Sequence, residues 1–150
     1  MQWNNGLNYL VKKLKKSGYF VELESNATLP LEDAYKEFNI LNLSPKLKSA
    51  GYGIEYYDKI GMIKFWKKYT NKYNNYTFKF VISDKKDIEE VNNWVNHLYL
   101  DKWKVYLMAS SIDIVSHQKN SEMIIELVKK YNYLYSPRLQ IVIWDKTVGV

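Results

Sequence analysis

The chain has 150 residues, 47% of them hydrophobic, and a formal net charge of +6 carried almost entirely by lysine. That is enough apolar material for a packed core and excludes a disordered chain, while no apolar run approaches the ~20 residues that a membrane span needs. Cysteine is absent, which excludes disulfides, thiolate nucleophiles and cysteine-ligated zinc or iron–sulfur clusters within these residues.

In chain order, Leu7, Leu10, Val11 and Leu14 recur at helical spacing and predict a first helix, stopped by Ser17-Gly18. Tyr19 to Ser25 follows as a strand, and Phe38 to Ser44 as a second, ended by Pro45. Tyr56 to about Tyr69 reads as one aromatic-rich helix. Tyr76 to Ser83 carries the strongest strand signal, because β-branched and aromatic residues dominate it. Ser83-Asp84 is expected to cap the next helix, whose buried stripe is Ile88, Val91, Val95 and Leu98. Asp87, Glu89 and Glu90 then suit the helix dipole.

A strand over Lys104 to Ala109 and a long helix marked by Ile124, Leu127, Val128 and Tyr131 come next. Tyr133 to Ser136 reads as a short final strand before Pro137. Leu139 to Trp144 is short enough to be a strand or a helical turn. The alternation predicts an α/β fold with a mostly parallel sheet built from crossover units, in one domain over residues 1–150.

Ligands of parallel α/β folds bind at the carboxyl ends of the strands. There the strand period sets Glu22, Glu24 and Asn26 on one face, Ile40, Asn42 and Ser44 on one face, and Lys79, Val81 and Ser83 on one face. A strand buried on both sides would be apolar on both. These three either line the polar lumen of an open α/β barrel or belong to strands with one wet face. His97 and His117 lack metal-ligand spacing and are expected at the surface. Neither a serine nucleophile elbow nor a phosphate-binding glycine loop is present. The dispersed lysines, as in Lys12 to Lys16, predict a solvated face and not a nucleic-acid surface, which would cluster charge and favour arginine.

In order along the chain stand Glu24-Ser25-Asn26-Ala27-Thr28, Ser44-Pro45-Lys46, KFVISD, VYLM and the closing SPRLQIVIWDKTVGV. This series resembles 7-carboxy-7-deazaguanine synthase, a radical S-adenosylmethionine family of queuosine and archaeosine biosynthesis, hence of tRNA modification. Its members commonly show Glu-Thr-Asn-Gly-Thr and end close to SPRLHILLWGDKRGV. The match corresponds to the C-terminal two thirds of the family protein. The family's three-cysteine loop, which holds a [4Fe–4S] cluster, and its Gly-Gly-Glu-Pro motif have no counterpart here. The fold so implied is a partial, open barrel missing its first strands.

The resemblance implies that Glu24, Asn26, Thr28, Ser44 and Lys46 contact S-adenosylmethionine. It sets Lys79, Arg138, Gln140 and the terminal Val150 near a pterin-like substrate, with Mg²⁺ as a further family cofactor. It also implies that the apolar tail is a lid and core element over the site. Gln140 stands where the family has histidine, and Ala27 where it has glycine, a substitution that restricts a backbone needing positive φ. With no cysteine the chain is expected to be inactive alone. A separate cluster-bearing chain or a second copy of this one, as a dimer, is the expected partner. The alternatives are a ligand-binding module without turnover and, last, a nucleic-acid binder. A cytoplasmic location follows from the lack of a leader-like or membrane-spanning stretch.

Overall fold

The computed structural model describes residues 6–147. Helix α1 (Leu7–Lys16) precedes strand β1 (Glu22–Ser25), the short helix α2 (Glu32–Tyr35) and strand β2 (Ile40–Leu43). Helices α3 (Ile54–Lys59) and α4 (Met62–Lys72) lead to β3 (Tyr76–Ile82), and α5 (Asp87–Leu98) to β4 (Val105–Ala109). The chain then runs through α6 (Ile114–Tyr131), the two-residue strand β5 (Leu134–Tyr135) and α7 (Leu139–Trp144).

The five strands pair in parallel in the order β1-β2-β3-β4-β5, as an open sheet. Strands laid down in sequence order, joined by crossovers of one hand, place their helices on a single face. Burial follows that rule. On the helix side Leu41, Leu43, Phe78, Phe80, Ile82, Val105, Leu107 and Ala109 are fully buried. They meet Trp66 and Trp94, whose rings pack edge-on and tilted against Phe78 and Phe80, and Tyr57 in turn meets Trp94 edge-on. On the other face Asn42, Thr77, Lys79, Val81, Tyr106 and Met108 are only half buried. The period-two alternation along β3, with Tyr76, Phe78, Phe80 and Ile82 buried and the residues between them half buried, therefore separates a packed side from a polar open side.

Several boundaries differ from the sequence reading. β1 starts at Glu22, and Tyr19 and Phe20 before it are exposed. The single helix expected over Tyr56 to Tyr69 is two, because Gly61 adopts φ +74° and turns the chain between them. Helix α2 was not foreseen; four residues are too few for periodicity to register. Of the cap expected from Ser83-Asp84, Asp84 supplies its part, its Oδ1 accepting from the Lys86 amide at 2.8 Å, and a second set of bonds runs the other way. Asp87 reaches back, and its Oδ2 accepts from the Ser83 and Asp84 amides at 2.7 and 3.1 Å. Glu90 also does more than complement a dipole, since it accepts from the amides of Lys48 and Ile54, both at 2.8 Å, and so holds the start of α3.

The last segment is helical, and its burial contradicts the core role expected of the tail. Within α7 only Ile141 is buried, while Leu139, Val142, Ile143 and Trp144 are 60, 48, 60 and 44% exposed. A six-residue helix lying against α6 offers one face to the protein and leaves the rest in solvent. Val150 lies outside the described residues. His117, expected at the surface, is instead 4% exposed, its Nδ1 3.1 Å from the hydroxyl of buried Ser111. His97 is exposed as expected. Among the described residues no helix is long and apolar enough to cross a membrane.

Candidate functional site

The polar face of the sheet and the ends of its strands form a trough. A cavity of about 560 Å³ is lined by Glu24, Ser25, Asn26, Asn42, Ser44, Lys46, Lys79, Val81, Met108, Pro137, Arg138 and Gln140. A second, of about 500 Å³, adjoins it through Asn26, Lys46 and Val81 and takes in Thr28, Ser49, Tyr52, Tyr57, Ser83 and Ser110. Eight of the nine positions singled out in the sequence thus lie around one continuous depression, and Val150 is the ninth. Read singly, each strand was equally compatible with an ordinary wet face. Their side-by-side pairing is what makes one site of them.

Its walls are set by strand register. Glu24 of β1 pairs with Asn42 of β2, and Asn42 with Thr77 of β3. Side chains then bond laterally along these rungs. Asn42 donates to Glu22 at 3.2 Å and accepts from Thr77 Oγ1 at 2.9 Å. Lys79 approaches the Glu24 carboxylate at 3.5 Å. With Glu24 78% exposed, this pair is well solvated, so a ligand exchanges it at little cost.

The loop after β1 is held from behind. Asn26 Oδ1 accepts from the amide and hydroxyl of Thr28 at 3.3 and 2.7 Å, a local turn that asparagine favours. Ala27 sits at φ +63° and is fully buried, so the residue standing in place of the family's glycine does adopt the left-handed conformation. Behind this loop Tyr57 joins two strand ends: its hydroxyl donates to the Asn26 carbonyl at 3.0 Å and accepts from the Lys46 amide at 2.9 Å. Burial raises the Tyr57 pKa, so it stays a neutral phenol able to do both.

At the far wall, Arg138 follows β5. Its Nη1 donates to the Ser111 carbonyl at 2.6 Å, which fixes the guanidinium beside the cavity that Arg138 lines. Ser25, Asn42, Met108 and Pro137 also line the cavity but were not chosen from sequence. Asn42 carried a usable signal, since it shares a face with Ser44. Met108 carried none, because an apolar residue in a parallel strand is ordinary core.

The charges in this trough suit a zwitterion. Lys46, Lys79 and Arg138 supply cations, Glu24 an anion, and Asn26, Asn42, Ser44 and Gln140 neutral donors and acceptors. Such a set can hold an amino acid carboxylate and a cationic centre together. It does not fit an iron–sulfur cluster, because the 150 residues contain no cysteine. Among the described residues no group of three His, Cys, Asp or Glu side chains converges as a metal site.

Comparison with known proteins agrees with the motif series. A 7-carboxy-7-deazaguanine synthase of Pyrobaculum aerophilum is 28% identical over 145 residues, covering 96% of this chain and 60% of the relative. One of Hyperthermus butylicus is 26% identical over 147 residues, covering 91% of this chain and 58% of the relative. The chain is similar to 7-carboxy-7-deazaguanine synthases. It spans about 60% of the length of these synthase relatives, and it matches no protein-family model.

Proposed function

We propose that this chain provides the ligand-holding part of a 7-carboxy-7-deazaguanine synthase-like enzyme of 7-deazapurine biosynthesis. Bound S-adenosylmethionine would supply the radical precursor of the family's chemistry. The thiolates that such chemistry requires must come from residues outside these 150, on a preceding segment or a separate chain. One observation carries the reading: Glu24, Asn26, Ser44, Lys46, Lys79 and Arg138, drawn from four strand ends, face one trough.

In this reading each residue has a physical task. Asn26 and Lys46, shared by both lobes, meet the S-adenosylmethionine, with Glu24 attracting its cationic groups and Thr28 and Ser44 donating or accepting neutral hydrogen bonds. Lys79, Arg138 and Gln140 hold an anionic, pterin-like substrate, and Arg138 can do so bidentately. Gln140 hydrogen-bonds as the family's histidine would but carries no charge, so it neither adds attraction for a carboxylate nor moves a proton. The half-buried floor of Val81 and Met108 limits water beside the ligand.

Calorimetry on the purified chain with S-adenosylmethionine, and separately with carboxytetrahydropterin, tests the reading. Binding of either is expected, weakened by Asn26→Ala for the first and by Arg138→Gln for the second. The chain alone, given iron, sulfide and reductant, is expected to form no 5′-deoxyadenosine. Absence of heat and of thermal shift with both ligands would remove the proposal, and 5′-deoxyadenosine from the chain alone would overturn the need for outside thiolates.

A further inference from the structure

At the amino-terminal end of the sheet, opposite the trough, a different surface gathers. Tyr99 and Trp103 stand in the connection between α5 and β4, 70% and 62% exposed, and Tyr131 ends α6 beside them. A lysine lies over each ring: Lys67 of α4 is 4.5 Å from the Tyr99 centroid, the buried Lys104 4.9 Å from Trp103, Lys130 of α6 5.3 Å from Tyr131, and Lys102 5.8 Å from Tyr133, which stacks on Tyr131. Of these, Lys67, Lys102 and Lys130 are the three that concern the surface. Lys102 also donates to the Tyr131 carbonyl at 3.0 Å, which joins these segments into one face. Among the described residues none of these three lysines has a carboxylate partner within ion-pair distance.

Tyr99 is the stronger clue. It closes α5 at φ +53°, a left-handed position where glycine or asparagine is the inexpensive choice. A large ring there costs backbone energy, and 70% of it is exposed, with the Lys67 ammonium over the ring as its contact within the fold. Trp103 is likewise held out by a tight turn over Lys102–Lys104. The two rings are four positions apart in the chain, so their Cα atoms are at most about 14 Å apart.

We infer that this face binds single-stranded nucleic acid, with Tyr99 and Trp103 as stacking platforms and Lys67, Lys102 and Lys130 on the phosphates. Aromatic rings interleaved with unpaired cations are the chemistry that such strands recognise, because every base offers a stackable face. The limit on their separation keeps the two rings within reach of neighbouring bases of one strand. Asp101, exposed in the same loop, is the one opposing charge between Tyr99 and Lys104, so the phosphates are expected on the lysines that flank it. An anionic membrane would also meet lysine and tryptophan, but it would need aliphatic side chains to insert, and Leu100, the only one on this turn, is buried. The lysines read from sequence as a solvated face because their aromatic neighbours come from three separate segments.

Fluorescence anisotropy with a labelled oligouridylate of about 15 nucleotides tests this on the whole chain. Binding is expected at about 50 mM salt, falling with a log–log slope near −2 for three phosphate contacts. Trp103→Ala and Tyr99→Asn, the latter suited to the left-handed turn, should each weaken it at least about fivefold. Lys102→Gln should make the slope shallower by about 0.7, whereas Lys59→Gln on α3 should leave it unchanged. Circular dichroism melts establish that each variant is folded. No anisotropy change at low salt, or variants that bind as the wild type does, would overturn the inference. Trp103-dependent sedimentation with phosphatidylserine vesicles in the absence of oligonucleotide binding would also overturn it, in favour of a membrane.

Discussion

Trp66 donates its indole N–H to the carbonyl of Ala27 at 2.8 Å. The bond runs from the middle of α4 to a buried backbone group in the loop that carries Asn26, and both residues are fully buried. Removing the donor leaves that carbonyl without a partner in a site water cannot reach. Trp66→Phe keeps most of the ring and is expected to cost about 1–3 kcal/mol in urea unfolding. A loss below about 0.5 kcal/mol would mean the carbonyl finds another partner.

The left-handed backbone of Ala27 makes a second, sharper comparison. Its methyl is buried, as is that of Ala34 in α2. At Ala34 a glycine loses packing and helix propensity, together about 1.5 kcal/mol. At Ala27 glycine loses the same packing but relieves about 1 kcal/mol of left-handed strain. Ala27→Gly is therefore expected to stay within about 0.5 kcal/mol of the parent, clearly milder than Ala34→Gly. Equal destabilisation of the two, measured side by side, would contradict the strain.

Tyr57 supports the site from below, and its hydroxyl serves the Asn26 carbonyl and the Lys46 amide together. Tyr57→Phe strands both groups and is expected to cost about 2 kcal/mol, near the middle of the range for unsatisfied buried partners. It should also weaken S-adenosylmethionine binding several-fold while every trough side chain remains in place. Unchanged affinity in calorimetry would show that the two loops hold their positions without it.

How much of this was legible in the sequence depended on whether the signal was local. β3 was found nearly to the residue, because Tyr76, Phe78, Phe80 and Ile82 alternate with Thr77, Lys79 and Val81. The face carrying Glu24, Asn42, Ser44 and Lys79 could be listed strand by strand, but the strand order and the pairing of Glu24 with Lys79 required the folded chain. His117 misled because no local feature reveals its burial, which depends on Ser111 across a turn. The tail misled in the opposite sense: apolar content suggested core, whereas a short helix with one docked face buries one residue in six.

That tail gives a further test. Ile141 is 5% exposed and Ile143 60%. Ile141→Ala is expected to cost about 2–4 kcal/mol through a lost buried side chain. Ile143→Lys should leave thermal unfolding within about 0.5 kcal/mol. Because Ile143 belongs to an exposed apolar patch with Val142 and Trp144, the lysine should also reduce any self-association seen by sedimentation velocity. Destabilisation by Ile143→Lys would mean that α7 docks through its other face.

Lys104 sets the pH dependence. It is 1% exposed, its ammonium donates to the Asn74 carbonyl at 2.9 Å and it lies 4.1 Å from the Tyr76 ring centroid. Burial disfavours the charged form and holds its pKa below the ordinary 10.5, with Asp101 opposing. A depressed lysine value means folding carries a penalty that is complete below the folded pKa and fades as pH rises towards 10.5. Buried tyrosines, Tyr76 among them, have raised values and act in the other direction, because they ionise first in the unfolded chain above about pH 10. Subtracting a Lys104→Met profile from the parent profile cancels most of that tyrosine contribution. The stability of the parent relative to Lys104→Met is expected to improve as pH rises through the lowered lysine value towards 10.5. Parallel denaturation profiles on the approach to pH 10.5 would show that the buried ammonium is as well accommodated as one in water.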